Sequence, residues 1–376
     1  MVGFSRHSDN IFAKWWWTVD KVILLTSLVL LAIGVVLDLT ASPAVARTIG
    51  VDDFWFVRKQ VVYVVLSIIA LLTLSMFKLK MIRRLSLVGF IVIAGLMLLT
   101  LFFGFETKGA RRWISLGGLS IQASEFMKPV FIIVTAWLLE FGKKYDYFPG
   151  MLISGGLFGV VALLLLLQPD LGMTLLFAAV FAIQLFLAGL PVLLVVIAGL
   201  ACIVLLVSSY FVFPHVHTRV DQFLYGSNET SYQINRAMEA FQNGNLVGKG
   251  PGEGTVKLHI PDAHTDFVFA VAGEEYGVWL CLIIILLFAA IVIRSLRIAL
   301  KESNLFAMYA EVGLAASLGI QAFVNMASSL HIIPTKGMTL PFISYGGSSL
   351  LGCAVEVGFL LAVTRKNTAS EDKDGS

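Results

Sequence analysis

Charge is what this sequence has least of. It holds 27 Lys and Arg and 24 Asp and Glu in 376 residues, 14% charged against 58% hydrophobic. A soluble domain carries about 25% charged residues, and so apolar a chain cannot cover its surface with polar groups. The shortage excludes an ordinary globular protein and makes the bilayer the solvent for much of the chain. Cysteine is nearly missing as well. Cys202, Cys281 and Cys353 are odd in number and lie in apolar runs. That excludes a disulfide framework and a cysteine-ligated metal cluster, and leaves them packing roles. A cleavable signal peptide is lacking: the start is polar for about 18 residues, and the first apolar run is long enough to span. The alternating pattern of a membrane barrel is absent too.

What is present is a series of apolar runs at approximately 22–42, 60–77, 85–104, 126–142, 150–167, 173–189, 191–210, 267–293, 305–329 and 347–364. Runs of about 17–25 residues can each cross ~30 Å of hydrocarbon. The expected fold is all-α, a polytopic bundle of about ten transmembrane helices. An even count puts both termini on one side. Lys78, Lys80, Arg83, Arg84, Lys143, Lys144, Arg294, Arg297 and Arg365 crowd the helix ends on that side, which makes it cytoplasmic by the positive-inside rule. The expected organisation is a cytoplasmic segment 1–18, a transmembrane domain 19–366 with a large external loop 211–265, and a disordered cytoplasmic tail 367–376.

Topology disfavours cations outside, yet the outer loops 105–125 and 211–265 hold Lys108, Arg111, Arg112, Arg219, Arg236, Lys249 and Lys257, and a third adds Lys336. An anionic ligand would explain them; pairing with nearby acids or lipid headgroups is the plainer reading. In Lys108-Gly-Ala-Arg-Arg-Trp113, two adjacent guanidinium groups beside glycine suit a phosphate, or Trp113 anchors the stretch at headgroup depth. Glu125 and Lys128 stand three apart at a helix start and can pair with each other. Asp170, in Gln168-Pro-Asp-Leu-Gly172, lies nearly within the membrane, where a carboxylate is costly. Capping the next helix near Met173 is its favoured reading.

Lys249-Gly-Pro-Gly-Glu-Gly254 lacks the Gly-Lys-Ser/Thr and the preceding strand of a nucleotide-binding loop. Downstream, Asp266 falls where the loop meets the eighth run. Its carboxylate suits a general base acting on a substrate hydroxyl, or it caps the helix with Thr265. Glu274 and Glu275 lie inside the same run and are expected to face the bundle interior. His259 and His264 flank the loop and read as solvated or hydrogen-bonded rather than metal-bound. The last motif, Pro334-Thr-Lys-Gly-Met-Thr-Leu-Pro-Phe-Ile-Ser-Tyr-Gly-Gly-Ser-Ser349, has two prolines and three glycines. It is therefore an irregular segment lining a cavity, offering the Lys336 charge and the hydroxyls of Ser344, Tyr345, Ser348 and Ser349.

These four motifs, in this order across roughly 20–365, resemble the SEDS family (shape, elongation, division and sporulation), bacterial membrane proteins that polymerise glycan strands from lipid II. Thr335-Lys336-Gly337 is similar to the division-type members rather than the elongation-type, RodA-like ones. One departure is Ala123, where the family loop commonly has proline; it loosens the turn before Glu125 but removes no charge.

The resemblance implies a peptidoglycan glycosyltransferase, multi-pass in the bacterial inner membrane at the division septum. It implies Asp266 as catalytic base, and Arg111, Arg112, Lys128, Lys336 and Lys108 near the lipid diphosphate. Glu125, Asp170 and Glu274 match acidic positions with unassigned roles, and Ser344, Tyr345 and Ser348 are supporting. The implied partners are lipid II (undecaprenyl-diphosphate disaccharide-pentapeptide), the growing glycan strand, the class B penicillin-binding protein FtsI, other division proteins and membrane lipid, but no nucleic acid. No nucleotide is needed, because the substrate brings its own leaving group. A divalent cation such as Mg or Mn could help bridge the diphosphate, although the sequence offers no dedicated ligand cluster for it. Alternatives are an elongation-type polymerase, a recruiting scaffold, and a lipid II flippase, for which buried Asp170 and Glu274 and broken helices suit alternating access.

Overall fold

The computed structural model describes residues 11–50, 52, 54–107, 110–116, 119–212, 217, 221, 229–334 and 337–365. Lys108, Lys336 and the tail 367–376 lie outside the described residues. Among those described, every expected run is helical: α2 (Lys21–Ile49), α3 (Trp55–Ser75), α4 (Leu79–Phe103), α5 (Ala123–Lys144), α6 (Gly150–Leu167), α7 (Leu171–Leu187), α8 (Val192–Val212), α10 (Val268–Ala299), α11 (Leu305–Ser329) and α12 (Gly347–Val363). A short α1 (Ile11–Thr18) precedes them and α9 (Glu229–Gly244) interrupts the large loop. The helices are apolar because in lipid each must satisfy its own backbone and present hydrocarbon outward.

Burial sorts them into two shells. Most residues of α5, α11 and α12 are buried, so these form the centre. Helices α3, α4 and α6 expose rows of Leu, Ile, Val and Phe to the surroundings. Polar contacts join helix ends that the expected alternation places on one side. Arg294 binds Asp20 at 2.7 Å and Arg83 lies 3.7 Å from Glu140. Arg365 Nη1 donates to the Met76 carbonyl at 3.1 Å. All of these residues sit at the end that the Lys and Arg distribution assigns to the cytoplasm.

Three departures from the expected bundle occur, all toward the other end. The first outer loop folds as a three-stranded antiparallel sheet, β1 (Phe105–Thr107), β2 (Ala110–Leu116) and β3 (Leu119–Ile121). The fold is the expected helical bundle with this small sheet added; strands this short leave little period-2 signal. Next, α9 is amphipathic. Ile234, Ala237 and Ala240 are buried against α10, while Arg236 and Glu239 pair at 2.6 Å on the open face. Finally, the eighth run is two helical pieces joined at Gly277, whose φ of 71° and ψ of −170° break the helix. The first piece, 268–276, is buried on almost every side, including Glu274 and Glu275. The two carboxylates therefore precede the lipid-facing part of α10 instead of lying within it.

Candidate active site

Asp266 sits in a turn, Pro261–Phe267, at the buried start of α10. The N-cap of α10 is Phe267, without a side-chain cap bond, so the helix begins one residue later than a capping Asp266 requires. Asp266 is half-buried. Its Oδ2 would lie 3.7 Å from a Cβ placed on Gly337, so the carboxylate borders the residue that follows Lys336.

The turn is held from three directions. Asn325 Nδ2, buried in α11, donates to the Asp266 carbonyl at 3.0 Å and to the Met338 carbonyl at 2.6 Å. Ser344 Oγ donates to the Thr265 carbonyl at 2.5 Å and accepts from Leu340 N at 2.8 Å. Tyr345 N donates to the His264 carbonyl at 2.9 Å. The His264 ring packs between Phe56 and Tyr345, with centroids 4.9 and 5.1 Å away. Burial pushes its pKa down to about 4, against a smaller opposing pull from Asp262, so it is neutral near pH 7. Burial likewise raises the Tyr345 phenol, with Asp38 and Tyr63 adding to the shift. The hydroxyl of Ser344, expected among substrate-facing groups, is thus spent on building the turn. Ser348 is engaged too, accepting from Gln122 N at 3.1 Å and donating to the Ser120 carbonyl at 3.2 Å.

The cations separate into different places. Successive residues on a strand face opposite ways, and Arg111 and Arg112 both lie on β2. Arg111 is open to solvent, 3.8 Å from Glu106 of β1. Arg112 turns inward, bonds the Gln168 carbonyl at 3.3 Å and the Pro169 carbonyl, and lies 3.7 Å from Asp170. Asp170 in turn caps α7, accepting from Met173 N at 3.2 Å. The pair does not present two forks to one phosphate, because the strand divides it.

Lys128 is buried inside the bundle. Its Nζ lies 2.8 Å from Glu125 Oε2 and 3.9 Å from Glu356 Oε2, and donates to Gln321 Oε1. Gln321 Nε2 continues to the Thr339 carbonyl at 3.1 Å, and Thr339 Oγ1 meets Ser349 Oγ at 2.5 Å. Glu274 serves the external loop, accepting from Val256 N, Lys257 N and Asn243 Nδ2, each at 2.8 Å. Lys257 forms a buried ion pair with Glu275. Sequence reasoning passed over Asn325, Gln321 and Glu356; the available signal was a polar side chain inside an apolar run, whose default reading is functional. The arrangement can hold a carboxylate rigidly at this end of the bundle, next to the irregular segment 337–345.

A family model described as cell cycle protein (FTSW_RODA_SPOVE) matches residues 20–369. A probable peptidoglycan glycosyltransferase FtsW from Caulobacter vibrioides is 40% identical over 373 residues, 99% of this chain and 96% of that one. One of the same description from Geobacter sulfurreducens is 37% identical over 362 residues, 92% and 95% of the two chains. Among solved structures, a chain of a peptidoglycan synthase complex, studied for the coordination of polymerization and crosslinking, superposes with a TM-score of 0.77 at 27% identity, covering 93% of this chain and 98% of that one. The rod shape determining protein RodA of Thermus thermophilus gives 0.68 at 26% identity, with 93% and 97% covered.

Proposed function

Because the chain belongs to the cell cycle protein family of FtsW, RodA and SpoVE, we propose that it is a peptidoglycan glycosyltransferase, polymerising lipid II at the outer face of the bacterial inner membrane during septal wall synthesis. The observation that carries the reading is Asp266: a half-buried carboxylate in a turn whose carbonyls, at His264, Thr265 and Asp266, are held by Tyr345, Ser344 and Asn325.

The 4-hydroxyl of an acceptor sugar attacks the anomeric carbon of a chain linked to undecaprenyl diphosphate. The new glycosidic bond forms with inversion as the carbon–oxygen bond to the diphosphate breaks. Asp266 takes the hydroxyl proton, and the diphosphate leaves with the electron pair. Negative charge grows on the leaving group, so cations aimed there give the largest stabilisation. Arg111, Lys108 and Lys336 are assigned to that task; a divalent cation such as Mg or Mn, if bound, would add positive charge for the leaving group. Arg112 and Lys128 act at one remove. Arg112 braces the Asp170 turn, and Lys128 holds the 338–345 segment through Gln321 and Thr339. The strands made here are passed to a class B penicillin-binding protein, FtsI, in company with other division proteins.

Purified protein and lipid II in detergent, with and without the penicillin-binding partner, test the reading. Linear glycan strands resolved by electrophoresis are the expected product. Absence of polymer in both mixtures, with lipid II crossing sealed vesicles instead, would favour a flippase.

A further inference from the structure

The loop that follows α9 carries an apolar tip aimed away from the core: Leu246 is 61% exposed and Val247 79%. Its backbone is nonetheless tied down. Gly248 N bonds the Gly244 carbonyl at 2.7 Å, Lys249 N the Glu274 carbonyl at 3.0 Å and Gly250 N the Glu275 carbonyl at 3.0 Å. Gly248 has φ +86°, and a Cβ there would lie 2.2 Å from the Glu275 carbonyl oxygen, so the loop is seated on α10 with no side chain between. A non-helical segment that meets lipid must satisfy its polar backbone internally. The amides of Gly248, Lys249 and Gly250, which follow the tip, are satisfied in this way.

The height of the tip follows from α10. Val278 N donates to the Asn245 carbonyl at 3.2 Å, and Val278 is the first residue after the break at Gly277. Below it, Trp279, Leu282, Ile283 and Leu286 are exposed at helical spacing, a stripe that faces lipid. At 1.5 Å per residue, ~30 Å of hydrocarbon measured up the helix from Arg297 ends near Gly277. Trp279, 63% exposed, is the residue type enriched at that boundary. Lys249, two positions past the tip, is exposed.

We propose that Leu246 and Val247 enter the outer leaflet of the bilayer, with Lys249 against the lipid phosphates, so that the external loop is moored to the membrane as well as to α10. The mooring leads directly to the functional turn: Glu274 fixes Val256 and Lys257, and the chain reaches Asp266 nine residues later.

The test uses the full chain with its native cysteines replaced, reconstituted in vesicles of phosphatidylethanolamine and phosphatidylglycerol. A spin label at Val247→Cys should be relaxed by oxygen and shielded from a water-soluble nickel chelate, whereas one at the exposed Glu253→Cys should show the reverse. Equal access of nickel at both sites overturns the proposal. Shielding of position 247 from both reagents overturns it as well, because it places protein rather than lipid over the tip. In Val247→Asp, hydrogen exchange over 245–258 should rise several-fold in the vesicles while α11 stays protected; unchanged exchange counts against the mooring.

Discussion

Asn325 bridges two carbonyls, on Asp266 and on Met338, and so fixes the Asp266 turn against the irregular segment. Replacing it with alanine should leave the protein folded but let the turn drift. A displacement near 1 Å costs on the order of 100-fold in rate, read as a fall in kcat for lipid II polymerisation with substrate binding largely kept. His264 gives a pH signature. Its folded pKa is pushed down to about 4 from 6.5, so between those values the unfolded chain binds the extra proton. Stability rises with pH through that window and is lost as pH falls, by on the order of 3 kcal/mol. Melts of the detergent-solubilised protein at pH 7 and pH 4.5 should show this loss, and His264→Phe should reduce it. The place of Asp266, after the glycine-rich loop and at the head of an apolar run, was legible in the sequence. Its role as a base came only from the family resemblance and not from the spacing, which suited a helix cap equally. Asn325 was not legible, since a polar residue in a run shows that it faces inward but not which carbonyls it will meet.

At the scale of elements, the adjacent arginines show what spacing alone leaves open. Placed in a loop they could act together; on β2 they alternate, and only Arg111 keeps an open guanidinium. The apolar runs were long enough to announce their helices, whereas the sheet and α9 were hidden in segments without a sustained period. The break in α10 was equally hidden, because one glycine in an apolar run fits an unbroken helix. Contact with the 245–250 loop decides it: a Cβ on Gly277 would lie 2.3 Å from the Leu246 carbonyl oxygen, and φ there is +71°. Gly277→Ala should therefore lower the melting temperature markedly, since a positive φ alone costs a non-glycine residue about 1–3 kcal/mol. Gly155→Ala on α6, where a Cβ meets nothing within 4 Å, should not lower the melt and should raise it slightly, since alanine suits a helix interior better than glycine.

For the molecule as a whole, composition pointed to the bilayer as solvent, and the Lys and Arg distribution assigned one end to the cytoplasm. Neither could reveal the buried chain from Glu125 and Glu356 through Lys128 and Gln321 to Thr339, because it joins α5, α11, α12 and the irregular segment across distant parts of the sequence. Removing its one cation, in Lys128→Met, strands two buried carboxylates and should cost about 3–5 kcal/mol, visible as an earlier unfolding transition. All of these parts converge on one half-buried carboxylate at the outer mouth. The direct test is polymerisation of purified lipid II by Asp266→Asn beside the unaltered protein, each with its penicillin-binding partner and each shown to be folded and to bind lipid II. No glycan strand from the variant, against ready polymer from the unaltered chain, is the result expected; polymer at an undiminished rate from Asp266→Asn would contradict it.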